Sequence, residues 1–216
     1  MEKHIYFIRH GESNSNSDGI HRGAHSILSD VGHKQAESVA KRIIEIGIDS
    51  LISSPYTRTM QTAEEISKAT GLVVEESNLF VERRRPSSLE GGTLQDPQNK
   101  KIDIEIFEGY ALEDHRHSDE ENLTDLRKRA TAALEFLSAH PKDKICVVTH
   151  GVFVRILLCA AVMGTDFSGK EMQNFIRSFD TNNTGISHFK LQTDSFATTP
   201  KSQWVVMSWN DTNHLR

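Results

Sequence analysis

Two apolar rhythms run along this chain, one of short unbroken runs and one of helical spacing. Residues 3–8 (Lys-His-Ile-Tyr-Phe-Ile) form a short run that predicts a buried strand. Residues 14–29, rich in Asn, Ser, Gly and His, predict a loop. Apolar positions then recur at Ala36, Val39, Ala40, Ile43 and Ile44, so a helix is expected over 31–46, with Asp30 as its N-cap and Gly47 as its stop. Ser50 to Ser53 predicts a second strand. Pro55 suits a first helical turn, and Met60, Ala63 and Ile66 share one face of a helix over 55–69. Leu72 to Glu75 predicts a third strand.

Regularity fades over 79–121. This stretch holds Arg83-Arg84-Arg85-Pro86, Gly91-Gly92, Pro97 and an acidic tract from Glu113 to Glu121, and only a short helix near 99–112 is expected. It reads as a surface insertion. Helical spacing returns at 122–139, through Leu123, Leu126, Ala130, Ala133, Leu134 and Leu137. Lys144 to Thr149 is apolar without alternation, as in a strand covered on both faces. Helices are expected from there to about 163 and over 168–178, then antiparallel strands at 185–191 and 203–209. Strands alternating with helices predict an α/β fold: a three-layer α/β/α sandwich around a mostly parallel sheet. The 216 residues are expected to form a single domain, with a lid-like insertion at about 83–121.

Composition narrows the partners. Net charge is −5 and charged residues make up 25% of the chain, which argues against a general nucleic-acid surface. A few arginines can still focus a local positive field on an anionic small molecule. The longest apolar stretch, Val152 to Met163, contains Arg155 and is too short to span a bilayer. The opening residues lack a secretory pattern. Cys146 and Cys159 sit among apolar neighbours, as buried thiols in a reducing compartment would. A cytoplasmic protein, without membrane or nucleic-acid partners and either monomeric or homodimeric, is the expectation.

Open α/β sheets place their sites beyond the carboxyl ends of the strands. There stand Arg9-His10-Gly11-Glu12-Ser13, Ser53-Ser54-Pro55-Tyr56-Thr57-Arg58 and His150-Gly151. Arginine offers a planar donor fork matched to phosphate oxygens, and neutral imidazole is a competent nucleophile near neutral pH. Two histidines with two arginines therefore suit phosphoryl transfer, where positioning and charge neutralisation do most of the work.

These residues resemble the histidine phosphatase superfamily, which includes the cofactor-dependent phosphoglycerate mutases. The likeness rests on Arg9-His10-Gly11-Glu12-Ser13, Asn16, Leu28-Ser29 with Gly32, the run Ser53 to Ala63, Glu82-Arg83 and Thr149-His150-Gly151, in that order. It implies that His10 is the nucleophile and becomes phosphohistidine, with Arg9, Arg58 and His150 around the phosphoryl group. It implies that Glu82 protonates the leaving oxygen and then takes a proton from water, and that Asn16 donates to a phosphate oxygen. Arg22, Gly23, Arg83 and Gly151 are expected as further substrate contacts. Glu90, in Leu89-Glu90-Gly91, is the alternative acid; Glu12 reads as a framework residue.

Mutases of the family follow the Glu-Arg pair with His-Tyr-Gly and carry a longer segment before the second histidine. Here Arg84-Arg85-Pro86 follows, so hydrolysis of a small phosphorylated metabolite is preferred to mutase-type transfer. A non-catalytic binding module would require loss of the motif residues, and all are present. The Arg83–Arg85 run fits either an acidic substrate tail or a solvated surface. No cofactor or metal is expected. His115-Arg116-His117 with Asp119 and Glu120 reads as a solvated lid segment rather than a metal site. Gly164 to Lys170 has a phosphate-loop skeleton, but Glu171 replaces the hydroxyl residue and a helix precedes it.

Overall fold

The computed structural model describes residues 2–93, 95–193 and 202–216. In chain order the elements are β1 (Lys3–Arg9), α1 (Asn14–Asp18), α2 (Asp30–Ile46), β2 (Ser50–Ser53), α3 (Thr57–Thr70) and β3 (Val74–Glu76). They continue with α4 (Pro97–Gly109), α5 (Leu123–Ala139), β4 (Lys144–Thr149), α6 (Gly151–Met163), α7 (Gly169–Ser178), β5 (Ile186–Thr193) and β6 (Ser202–Asp211). The described strands form one sheet in the order β3-β2-β4-β1-β5-β6. The first four run parallel; β5 is antiparallel to β1, and β6 to β5.

Strand alternation sorts the core into two layers, because successive side chains leave opposite faces of a strand. Ile5 and Phe7 of β1, with Ile145 and Val147 of β4, pack against Leu126, Ala130 and Leu137 of α5 and Phe153 and Ile156 of α6. Ile8, Cys146 and Val148 pack the other way, against Val39 and Ile43 of α2 and Ala63 and Ile66 of α3. The result is the expected three-layer α/β/α sandwich. Both faces of β4 are covered, which explains its unbroken apolar sequence. Lys3 pins the start of β1 to the turn before β4: its buried ammonium donates to the carbonyls of His140 and Lys142 and pairs with Asp143. Among the described residues, no helix is long and apolar enough to cross a membrane.

Several expectations need correction. Ser29, not Asp30, caps α2: its hydroxyl accepts from the Gly32 N–H, while Asp30 already has helical geometry. Helix α3 starts at Thr57, because Pro55 and an extended Tyr56 lie ahead of it. The third strand begins two residues later than expected, at Val74, and ends one later, at Glu76. The loop over 14–29 contains the short α1 and a 3-10 turn at Gly23–His25. The stretch 79–121 is more than a surface insertion. Phe80, Leu89, Ile106 and Tyr110 are buried, and α4 closes over the α5–α6 layer. Glu120 is also buried, its carboxylate accepting from the backbone N–H groups of His117 and Ser118. The phosphate-loop look-alike is a helix cap, with Ser168 and Glu171 forming a capping box on α7.

Candidate active site

The parallel register brings three strand ends abreast. Arg9 lies opposite Thr149, and Ser53 opposite Val148, so β1, β4 and β2 release their chains side by side. His10 follows β1, His150 follows β4, and Ser54 follows β2. Arg58 enters from the first turn of α3. His10 is 4% exposed, Arg58 9% and His150 0%.

His10 is oriented by its own neighbour. Its Nδ1 donates to the Gly11 carbonyl at 2.7 Å, which leaves Nε2 unprotonated and able to accept. Nε2 accepts from Arg58 Nε at 3.0 Å. Arg58 Nη2 donates to His150 Nδ1 at 3.0 Å, and His150 Nε2 meets Ser54 Oγ at 2.9 Å. The remaining arm, Nη1, donates to the Gly23 carbonyl at 2.8 Å. One guanidinium thus bridges both imidazoles and ties them to the loop after α1. Tyr56 packs its ring beneath the Arg58 guanidinium, 5.2 Å away, and against His150.

Electrostatics keep both rings neutral. Burial, then the charges of Arg58 and Arg9, hold His10 well below the usual histidine range. Burial and Arg58 do the same for His150. Burial also lowers Arg58 from its usual value, and the nearby Glu82 carboxylate opposes that shift. A buried neutral imidazole with an accepting Nε2, next to fixed positive charge, is suited to attack an electron-poor phosphorus.

Arg9 reaches across to the segment before β5, donating to the Thr181 carbonyl. Its buried Nε makes no hydrogen bond among the described residues. Glu82 sits at the N-terminus of α6: one oxygen accepts from Val152 N–H at 3.0 Å, the other from Phe153 and Arg83 N–H, both at 2.9 Å. Helix N-termini favour such an anion. Gly151 must be small, since a Cβ there would press on Arg9 and Thr181. Gly11 and Gly32 allow the chain after β1 to touch the start of α2, where either Cβ would collide with backbone.

The expected residues divide into groups. His10, Arg9, Arg58, His150 and Gly151 come together at the strand ends. Glu82, Arg22, Gly23 and Arg83 line an adjoining cleft of about 450 Å³, as does the alternative acid Glu90. Asn16 is partly committed, its side-chain oxygen accepting from Ser13 backbone and hydroxyl. Arg22 is spent on a bidentate pair with Asp18 at 2.6 and 2.8 Å, and Gly23 contributes its carbonyl to Arg58. Arg83 is not a solvated surface residue, being only 9% exposed and bonded to the Tyr110 hydroxyl at 3.2 Å. Glu12 is a framework residue, accepting from the Ser29 hydroxyl at 2.7 Å.

Sequence reasoning missed the supports. Asn183 Nδ2 donates to the His10 carbonyl at 2.9 Å, and Thr184 N–H donates to the Arg9 carbonyl at 2.9 Å. Thr62 Oγ1 accepts from Gly11 N–H at 3.1 Å. Arg129 of α5 forks onto Glu121 at 2.8 Å through two nitrogens, donates to the Leu79 and Val81 carbonyls, and stacks 3.9 Å from the Phe153 ring. Thr62 lies inside a recognised motif. Residues 181–185 carry no periodicity, and nothing in the sequence marks Arg129.

Comparison with known proteins gives a consistent result. The model of the histidine phosphatase superfamily (branch 1) matches residues 5–212. A probable phosphoglycerate mutase, GpmB, from Yersinia pestis (strain Pestoides F) is 31% identical over 219 residues, covering 98% of this chain and 94% of its own. Mycobacterial glucosyl-3-phosphoglycerate phosphatase superposes with a TM-score of 0.74 at 19% identity, over 97% of this chain and 100% of that one. A mutant phosphoserine phosphatase from Entamoeba histolytica, in complex with phosphoserine, gives 0.76 at 24% identity over 99% of each chain. At such identities the structural likeness speaks for the fold alone.

Proposed function

As this chain belongs to the histidine phosphatase superfamily, we propose that it is a phosphomonoesterase acting through phosphohistidine on a small phosphorylated metabolite. The observation that carries this reading is the Arg58 bridge: a tautomer-fixed His10 presents Nε2 to a guanidinium that also holds His150.

In the first step His10 Nε2 forms a bond to phosphorus while the ester P–O bond breaks. Glu82, in its protonated form, gives its proton to the departing oxygen. Arg58 and Arg9 neutralise the equatorial oxygens, and the buried Nε–H of Arg9 is a donor suited to that task. In the second step water attacks phosphorus, Glu82 takes its proton, and the P–N bond breaks to release inorganic phosphate. Glu82 is preferred to Glu90 because its carboxylate is fixed on α6 directly after His150-Gly151, whereas Glu90 is exposed.

No step draws on a metal, so a chelator is expected to leave turnover of an aryl phosphate intact and His10→Ala to abolish it. Turnover surviving in that variant would remove His10 as nucleophile. The 31% identity to a probable phosphoglycerate mutase favours one rival, transfer back to a sugar acid. Incubation with 3-phosphoglycerate separates the two: free phosphate supports hydrolysis, and clean isomer without phosphate supports the mutase.

A further inference from the structure

Among the described residues, two that are not glycine hold a left-handed backbone: Thr184, with φ of 56°, and Asn210, with φ of 52°. Asparagine tolerates that region. A β-branched residue is strained in it and stays only where its surroundings hold it. Thr184 is fully buried, and the last residues of the chain hold it. Its hydroxyl donates to the Asn183 carbonyl at 2.8 Å, so the same oxygen accepts the Nε2–H of His214 at 3.1 Å. Asn210 Oδ1 accepts from the Asn182 N–H at 2.8 Å, and a Cβ on Gly185 would fall on that oxygen. Trp209 Nε1 donates to the Asp180 carbonyl at 2.7 Å. The corner 180–185 is thus clamped from β6 and from the turn at Asn213–Leu215.

This corner is aimed at the nucleophile. Thr184 N–H donates to the Arg9 carbonyl, and Asn183 Nδ2 to the His10 carbonyl, each at 2.9 Å. The other end of the same peptide, the Gly11 N–H, donates to Thr62 Oγ1 at 3.1 Å. The His10–Gly11 peptide plane is therefore fixed at both ends. The next carbonyl, that of Gly11, is the one that holds the proton on His10 Nδ1. Asn183 Nδ2 also lies 3.5 Å from Asn16 Oδ1, an oxygen that accepts from the Ser13 N–H and hydroxyl. With that oxygen occupied, Asn16 has its Nδ2 left to give to a phosphate oxygen.

We propose that Asn183 is a positioning residue for the reaction at His10, aimed by the strained Thr184. It acts through the His10–Gly11 peptide, which sets the tautomer of the nucleophile, and through the amide of Asn16. The proposal rests on the phosphatase reading of this site. Two measurements on the full chain test it. Rapid quench with an aryl phosphate reads the rate of phosphohistidine formation. Nitrogen-15 spectra of labelled histidine read the His10 tautomer, its signals being those absent from His10→Ala. The unaltered chain is expected to show a protonated Nδ1 and a bare Nε2. In Asn183→Leu the proton is shared between the two nitrogens, and phosphohistidine forms about 10–100-fold more slowly. Thr184→Val, which loses the hydroxyl, moves both readouts the same way, and Thr184→Ser, which keeps it, restores most of the rate. A defect of folding alone would slow the reaction without moving the tautomer of the folded molecules. An unaltered rate in Asn183→Leu, or a slower one with the His10 tautomer unchanged, overturns the proposal. Should Asn183→Leu fail to fold, equal rates and tautomers in Thr184→Ser and Thr184→Val overturn it instead. The two readings fail separately: if the unaltered chain forms no phosphohistidine, the phosphatase assignment falls, and the tautomer spectra still decide whether Asn183 positions His10.

Discussion

His10 and His150 are held neutral by burial and by the guanidiniums beside them, and this has a consequence for stability as well as for chemistry. In the unfolded chain a histidine takes up its proton near the ordinary value of 6.5. The folded protein resists that uptake until much lower pH. Below about 6.5 the unfolded state therefore binds more protons than the native state, and stability falls as acid is added. Melting temperature is expected to drop between about pH 7 and pH 5, with a shallower slope in His150→Gln; an unaltered slope would refute histidine burial as its origin. Glu82 makes a second prediction. Glu82→Gln should slow an alkyl phosphate by about 10²–10⁴, and a dinitrophenyl phosphate, whose leaving group needs no proton, far less. Equal losses on both substrates, or the selective loss appearing in Glu90→Gln instead, would reassign the acid.

Elements hold these residues by a few close contacts. Arg129 of α5 grips the backbone before Glu82 through the Leu79 and Val81 carbonyls, and its partner Glu121 accepts from Arg84 N–H at 2.8 Å. Both sides of Glu82 are thus anchored to one helix. Arg129→Met is expected to repeat the leaving-group pattern of Glu82→Gln, with Arg129→Lys intermediate; a uniform loss on all substrates would mean damage to the fold rather than misplacement of the acid. The contact between the chain after β1 and α2 is equally tight. Gly32→Ala drives a methyl into the Glu12 backbone and should cost about 1–3 kcal/mol, read as a lower denaturant midpoint. Much at this level is legible in the sequence. The helical spacing at Ala36–Ile43 places α2, and unbroken apolar runs place β1 and β4. The cap of α2 is not legible in the same way. Ser29 and Asp30 both carry a capping oxygen, and which of them caps depends on where the backbone turns helical.

At the largest scale, the two free thiols report on separate layers. Cys146 lies with α2 and α3, Cys159 with α5 and α6, and both are fully buried. Burial raises both thiols, that of Cys159 to about 12. A thiol reagent should therefore label them only when the sandwich opens, and at one common rate if the layers unfold together. Unequal rates would show that one layer opens alone. The insertion is the part of the protein least visible in the sequence. Its Gly, Pro and charged residues suggest a solvated lid, yet Ile106 and Tyr110 complete the α5–α6 layer and Asp103 faces the cleft. Its buried positions, Phe80, Leu89, Ile106 and Tyr110, are spread over separate turns and one helix, so no single period runs through them.

The alternation of strands and helices, the covered strands and the motif residues at the strand ends all follow from the amino-acid order, because they depend on local spacing and on side-chain chemistry that any register preserves. Which groups meet is a matter of the packed chain. The parallel register sets His10, His150 and Ser54 abreast; the return of the chain before β5 braces Arg9 through Thr181 and Thr184; α5 supplies Arg129. Such contacts join residues far apart in the chain, and their partners are chosen by packing, which no local pattern encodes.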